Sequence, residues 1–248
     1  MKNEILNKLA QIEQEHNIEI LFAVESGSRA WGFASPDSDY DIRFVYRRNK
    51  DWYLNLWEKK DTIEFMTEDD LDGSGWDLKK ALTLLSKSNA SFNGWLFSPM
   101  VYRSDETFLS EIRQLANDNF NPVSGFYHFH SMNKGFEDLL GTDKMTLKSY
   151  FYAIRTALCA KWIAEYASIP PVEFRALYVL IDEKYHKTLD DLIELKSRHA
   201  EKSDEPIDQE LIDLAHDVVN HNNSVKGKVI SRSADKEAFN SFFIKSLQ

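Results

Sequence analysis

The sequence has one cysteine, Cys159, in 248 residues. A lone thiol closes no internal disulfide and builds no zinc cluster, which fits a reducing compartment. With only 6 prolines and 9 glycines, the chain carries no low-complexity tract, and no internal repeat is visible. No apolar run approaches the roughly 18 residues that suggest a membrane span. The opening stretch, MKNEILNKLAQIEQEH, is charged throughout and lacks the apolar core of a leader peptide, so a cytoplasmic location without membrane contact is expected. A surplus of positive charge is missing too: the net charge is −10. That argues against a protein that coats nucleic acid non-specifically, although a local basic patch can work inside an acidic whole. A carboxylate cluster built to bind cations would itself add to the acidic total. What is present is 43% hydrophobic and 13% aromatic residues, enough for a packed core.

Ile5, Leu9 and Ile12 recur at helical spacing and predict an opening amphipathic helix. Ile18 to Val24 (IEILFAV) reads as a buried strand that runs into Glu25-Ser26-Gly27-Ser28, with Ser28 able to cap a brief helix begun by Arg29, Ala30 and Trp31. Asp41 to Tyr46 (DIRFVY) predicts a second strand, Asp51 to Glu58 a helix, and Asp61 to Met66 (DTIEFM) a third strand. An acidic loop with Gly73 and Gly75 then leads to a helix over Asp77–Asn89, on which Leu78, Ala81, Leu82 and Leu85 mark one face. Strands alternate with helices up to about Tyr102, the pattern of an α/β domain. Beyond it the periodicity is helical: Leu147 to Ala167, stopped by Ile169-Pro170-Pro171, then Phe174 to Ile181, Leu189 to Leu195, Leu211 to Val219 and Phe239 to Leu247. The expected fold is α+β: an N-terminal α/β domain with a mixed sheet over 1–102, a helical domain over 103–248, and a cleft between them.

The chemistry concentrates in Glu25 to Arg43, ESGSRAWGFASPDSDYDIR. On a strand, Asp39 and Asp41 share a face across Tyr40, with Cα atoms roughly 6.6 Å apart. Carboxylates at that spacing can converge on one cation, or on two held close together as in phosphoryl-type transfer. Magnesium suits such a site because it takes a few carboxylates together with substrate phosphates. Gly27 at a strand-to-helix turn lets backbone approach a phosphate, the N–H groups of the next turn present positive charge to it, and the Ser28 hydroxyl adds a hydrogen bond. Either signal alone is weak, since a D-x-D pair usually marks solvated residues at a strand end. Their order and spacing behind a buried strand make the combination specific.

Gly-Ser followed after about ten residues by D-x-D resembles the hallmark of the DNA polymerase β-like nucleotidyltransferases. The fuller string GSRAWGF…SPDSDYDIR, with GWDLKKAL and SPMVY downstream, resembles a branch of predicted nucleotidyltransferases that accompany RNA-repair enzymes. A weaker likeness continues through LKSYFYAIRTAL. The sequence departs from that branch at Gly94 in FNGWL, where an acid before the tryptophan is usual. The resemblance implies that Gly27, Ser28 and Arg29 hold a nucleoside triphosphate, that Asp39 and Asp41 bind magnesium, and that a third carboxylate on a neighbouring strand helps deprotonate the attacking hydroxyl. Glu64 is the expected third acid, with Asp72 and Asp77 as alternatives. An RNA 3′ end is the acceptor that the resemblance favours. A protein or small-molecule acceptor, or a non-catalytic antitoxin-like module, are the rival readings.

Lys80, which follows the GWDLKK motif, is expected to meet phosphates, while neighbouring Lys79 and Lys87 fit a solvated helix face equally well. Lys148, Tyr152 and Arg155 fall on one helical stripe, where a tyrosine between two cations could stack on a base or simply pack helix on helix. His128 and His130 lack a third partner for a metal site. Cys159, among small apolar residues, reads as a buried side chain. Neither the base, the acceptor nor the oligomeric state is legible.

Overall fold

The structure, a computed structural model, describes residues 1–57, 59–67, 70–199 and 206–248. Contacts divide the chain into two units, one of Met1–Ala30, Asp39–Asn119 and Ala234–Gln248, the other of Trp31–Ser38 and Phe120–Ser233. This is not a single cut after residue 102, and the packing below explains why.

The first unit opens with α1 (Lys2–His16), whose Ile5, Leu9 and Ile12 form the expected buried stripe. Asn17, in the left-handed conformation at φ 50°, ends the helix and turns the chain into a strand. Strand β1 (Glu19–Glu25), helix α2 (Gly27–Trp31), strand β2 (Tyr40–Arg47) and the short α3 (Lys50–Tyr53) follow. Next come β3 (Thr62–Met66), β4 (Leu71–Asp77), α4 (Leu78–Leu85), α5 (Ala90–Leu96), β5 (Val101–Ser104) and α6 (Glu106–Asp118). The strands make one five-stranded sheet in the order β3-β4-β2-β1-β5. Only β2 and β4 run parallel; the other pairs are antiparallel, so the sheet is mixed as expected.

The stripe of α1 packs with Ile20, Ala23, Ile42, Phe44, Tyr46, Ile63 and Leu71 in one cluster. Alternation along β2 commits Ile42, Phe44 and Tyr46 to that layer and turns Asp41, Arg43 and Val45 the other way. A second aromatic cluster joins Phe22 to Phe92 (ring centroids 6.5 Å) and Trp76 to Trp95 (3.9 Å). Phe22 also meets Phe108 of α6 at 6.4 Å, which keeps α6 with the sheet rather than with the helices that follow it.

Three local expectations fail. The acidic segment around Gly73 and Gly75 is a strand, not a loop. Glycine is there for room: a Cβ at Gly73 would sit 1.9 Å from the Phe65 ring, and one at Gly75 2.1 Å from the Phe44 ring. The helix expected over Asp51–Glu58 is a single turn capped by Asn49, which accepts the Trp52 N–H at 3.0 Å; Glu58 lies outside the described residues. The helix expected over Asp77–Asn89 shortens to α4, with Asp77 outside it as its N-cap, and Asn89 instead caps α5.

The second unit holds α7 (Pro122–Glu137), α8 (Leu147–Tyr166), the 3-10 turns Phe174–Leu180 and Glu183–Tyr185, α9 (His186–Arg198) and α10 (Gln209–Val225). A reciprocal Thr146–Ser149 capping box starts α8, and Ala167 at φ 51° ends it before the prolines. Buried amides tie the helices together: Asn133 donates to the Ala153 carbonyl at 2.7 Å and Asn222 to that of Ala157 at 2.8 Å. The Trp31–Ser38 segment is bedded here, with Phe33 stacked on Phe151 at 4.9 Å. The chain then returns to the first unit with α11 (Lys236–Lys245), where Phe242 meets Phe108 at 5.4 Å and Phe243 meets Tyr53 at 5.2 Å. Among the described residues no helix is long and apolar enough to cross a membrane.

Candidate active site

The turn after β1 and the start of β2 lie against each other. Ser26 donates its N–H to the Asp41 carbonyl at 2.8 Å, and Asp41 donates its own N–H to Glu25 Oε1 at 2.8 Å. Gly27 has φ +61°, and a Cβ there would fall 1.9 Å from Asp41 Oδ2. Only glycine satisfies both the left-handed backbone and the packed carboxylate. Ser28 is buried beside it. Arg29 donates Nε to the Asp39 carbonyl at 3.0 Å and stacks its guanidinium 3.8 Å from the Tyr40 ring centroid. Five of the expected residues, Gly27, Ser28, Arg29, Asp39 and Asp41, are therefore neighbours on two adjoining segments of the first unit.

The parallel register of β2 and β4 sets Asp41 opposite Asp72. Arg43, two residues along the same face, spans the pair: its Nη2 donates to Asp41 Oδ1 and to Asp72 Oδ2, each at 2.7 Å, and its Nη1 to the Asp72 carbonyl at 2.8 Å. Two carboxylate oxygens thus converge on one positive charge. Burial pushes the Asp41 carboxyl above its usual range; Arg43 opposes the shift, while the Asp72 and Asp39 carboxylates add to it.

Beneath this pair lies Glu25, fully buried. Besides the Asp41 N–H it accepts the Tyr102 hydroxyl, and Ser98 Oγ donates to its backbone carbonyl at 2.6 Å. Burial pushes its carboxyl upward, against the hydrogen bonds from Tyr102 and the Asp41 backbone. Glu25, Arg43 and Tyr102 were not singled out by sequence reasoning. The available signal was an acid closing an otherwise apolar strand immediately before Gly-Ser, and an arginine two residues past the D-x-D.

Of the other expected residues, Glu64 lines one open cavity together with Arg43 and Asp72, and the rest lie elsewhere. Glu64 sits on β3 opposite Ser74, its side chain 65% exposed and 3.7 Å from the Lys60 ammonium. Its row on the sheet is displaced from the Asp41–Asp72 row, and β4 intervenes. Asp77 lies at the opposite end of β4, buried, accepting the Lys79 N–H at 2.8 Å and the Tyr53 hydroxyl at 2.9 Å. Lys80 pairs with Asp61 at 2.9 Å, also at that end. On α8 in the second unit, Lys148 is exposed and Tyr152 half-buried, its ring 5.0 Å from Trp31. Arg155 is buried, 4.2 Å from the Trp31 ring centroid, donating to the Val172 carbonyl at 3.2 Å with its Nε unmatched. His128 and His130 lie on α7, where His130 stacks on Phe126 at 5.5 Å. Cys159 is buried.

Among the described residues no group of three His, Cys, Asp or Glu side chains forms a cage that would hold a metal by protein alone. The donors present are hard oxygens, two of them already convergent on a cation, and magnesium held jointly with substrate phosphates needs only one or two carboxylates. The residues fit that mode of binding.

The glycine-serine turn thus lies against Asp39 and Asp41 on a mixed sheet, the arrangement expected of a nucleotidyltransferase. Residues 1–245 match the RlaP family, described as the RNA repair pathway DNA polymerase beta family, and the chain belongs to it. The uncharacterized protein YcgL of Bacillus subtilis (strain 168) is 39% identical over 204 residues, covering 81% of this chain and 78% of that protein. A crystal structure of a nucleotidyltransferase-like protein from Exiguobacterium sibiricum 255-15 aligns over 96% of this chain and 77% of its own, with 13% identity and a TM-score of 0.35, a likeness too loose to inform fold or function.

Proposed function

We propose that the protein is a magnesium-dependent nucleotidyltransferase that moves a nucleotide from a nucleoside triphosphate to an RNA 3′ hydroxyl. The observation that carries this reading is the convergence of Asp41 Oδ1 and Asp72 Oδ2 on the Arg43 guanidinium, each at 2.7 Å, beside a glycine that leaves no room for a side chain. The RNA acceptor rests on the family's description alone.

In this mechanism Gly27 and Ser28 receive the triphosphate, Ser28 through its hydroxyl, and Arg29 adds charge beside them. The acceptor oxygen forms a bond to the α-phosphorus. The bond from that phosphorus to the bridging oxygen breaks, and pyrophosphate leaves with the electron pair. The hydroxyl proton passes to Asp72, which takes the third-acid role in place of Glu64 because it faces Asp41 directly. Asp39, Asp41 and Asp72 would hold magnesium, whose contribution is to acidify the acceptor hydroxyl and neutralise charge on the leaving group. Arg43 keeps the aspartates paired and oriented until substrate arrives. Glu25 fixes the Asp41 backbone from below. Arg155, buried under Trp31, acts in this reading as a packing group, and Lys148 and Tyr152 are the members of the expected stripe nearer solvent.

The test is incubation with each labelled triphosphate, magnesium, and separate RNA, DNA and protein acceptors. Label on the RNA 3′ end supports the reading. Label on protein alone would keep nucleotidyl transfer and discard the RNA acceptor, and absence of label from every acceptor would discard both.

A further inference from the structure

The end of the sheet remote from Asp41 carries a second feature that the proposed chemistry does not use. A groove of about 470 Å³ opens there between the segment after α3 and the first turns of α4, with Trp52, Leu56 and Trp57 on one side and Lys59, Lys79 and Lys80 around it. From Asp41 to Tyr46, which pairs with Asp77 at this end, is five residues of β2, or about 17 Å at roughly 3.4 Å per residue.

Its apolar groups are left in water: Leu56 is 84% and Trp57 79% exposed. Contiguous exposed groups of this size mark contact sites. The acids in the wall are already engaged, Asp61 by Lys80 at 2.9 Å and Asp77 by the Lys79 N–H and the Tyr53 hydroxyl. Among the described residues no carboxylate engages the Lys59 or Lys79 ammonium. The groove therefore presents the exposed Trp57 indole, the half-buried Trp52 indole with the Arg48 guanidinium 5.1 Å from its ring centroid, and two lysine charges that no carboxylate among the described residues engages.

We propose that this groove holds a stretch of single-stranded nucleic acid, with bases stacked on Trp57 and Trp52 and phosphates met by Lys59 and Lys79. Indole faces accept any base, and cations beside them track a phosphate backbone, which is how sequence-tolerant strand binding works. The repetition of ring and cation fits a polymer rather than one phosphate-bearing ring. An acidic peptide would neutralise the lysines but leave the indole faces without planar partners. The groove deepens the RNA-acceptor reading, as a holding site away from the reacting end, yet it is a claim about binding and stands without turnover.

The experiment is fluorescence anisotropy of a labelled single-stranded RNA across a salt series, on the full chain. Affinity should fall steeply with salt, and Trp57→Ala should weaken it roughly 5- to 150-fold, equivalent to the ~1–3 kcal/mol of one stacked base. Trp57→Phe should restore much of that loss. Lys59→Ala and Lys79→Ala should each reduce the salt slope by about 0.7. Trp57 is exposed, so its variants should unfold at the wild-type temperature, and Asp41→Asn should bind RNA normally while failing at transfer. Loss of transfer with binding intact would separate the two claims. Binding that none of the three groove variants changes would overturn the proposal. So would competition by a mononucleotide as effective as by the strand. Absence of strand binding, with self-association that Trp57→Ala abolishes in sedimentation, would assign the face to protein contact and overturn it as well.

Discussion

The two ends of the β2–β4 pair both carry aspartates, and they use them in opposite ways. At one end Asp41 and Asp72 face each other with oxygens shared on a single guanidinium, partly open to solvent. At the other, Asp77 is sealed, its oxygens spent on the first turn of α4 and on the Tyr53 hydroxyl. Both Asp41 and Asp77 are pushed toward protonation by burial. The difference lies in what the lone pairs face. Asp77 is satisfied by groups that cannot leave, a backbone N–H and a packed tyrosine. Asp41 and Asp72 are satisfied by one shared side chain, that of Arg43. Burial alone does not separate the two ends; the kind of partner does.

The sharpest way to break this comparison is to neutralise each end in turn. Asp41→Asn should abolish transfer, and Asp72→Asn should lower turnover by about 10²–10⁴-fold, the cost of a lost general base. Asp77→Asn should leave turnover per folded molecule near wild type. Single-turnover assays with labelled triphosphate on variants shown to be folded decide the matter. An inactive Asp77→Asn beside an active Asp72→Asn would reverse the assignment of the two ends.

Gly27 sharpens the catalytic end further. Gly27→Ala adds a Cβ where Asp41 Oδ2 now sits and forces a side chain onto φ +61°. The left-handed backbone costs about 1–2 kcal/mol, which urea melts should register. The displaced Asp41 carboxylate should cost at least about 10² in turnover, as expected for a misplacement of roughly 1 Å. Wild-type turnover in Gly27→Ala would mean that the Asp41 position seen here is not the working one.

The grouping of residues at the Asp41 end was legible because its information is local. Gly27, Ser28, Asp39 and Asp41 lie within fifteen residues, and the apolar strand before them sets their context. The partner across the sheet was named only as an alternative third acid. Asp72 meets Asp41 only through a parallel pairing of strands far apart in sequence, and its strand was disguised by Gly73 and Gly75, which read as loop residues until the Phe65 and Phe44 rings that need the space are known. Glu64 was favoured because β3 was the next strand visible in the sequence. In space β4 lies between β3 and β2. The unit boundary was hidden for the same reason, since α6 and α11 join the sheet through Phe108, Phe242 and Phe243, contacts with no local signature.

The structural end should answer to stability instead of turnover. Asp77→Ala removes an N-cap, worth about 0.5–2 kcal/mol, and takes the acceptor from the Tyr53 hydroxyl proton for a further ~1–3 kcal/mol, although the hydroxyl oxygen still accepts the Arg48 N–H. Its pH behaviour is a separate signature. Burial raises the folded carboxyl above its usual 3.8, with the Lys79 N–H and the Tyr53 hydroxyl opposing. A raised acid contributes stability that is fully present below the unfolded value and lost as pH rises through the folded one. Wild type should therefore lose stability relative to Asp77→Asn as pH climbs from about 3.8, then run parallel to it. Urea melts in pH steps read this directly, and a flat difference would mean that Asp77 is not desolvated as its burial implies.

The smallest effect belongs to Glu64, and it bears on the proposal that Asp72 takes the third-acid role. Glu64 and Asp72 share a face of the sheet and both carry a carboxylate, so face alone does not separate them. Register does: Asp72 is opposite Asp41, whereas Glu64 is opposite Ser74 and points into solvent. Its carboxylate lies 3.7 Å from the Lys60 ammonium, with both side chains mostly exposed. Such a pair contributes about 0.2–1 kcal/mol at most, and salt screens it. Glu64→Gln should therefore leave turnover and nucleotide affinity within experimental scatter of wild type and shift the urea midpoint barely, with the shift vanishing at high salt. A 10²-fold or greater loss of turnover in Glu64→Gln, with Asp72→Asn silent, would return the third-acid role to β3 and require that Glu64 reach the Asp41 carboxyl by a movement of the sheet edge.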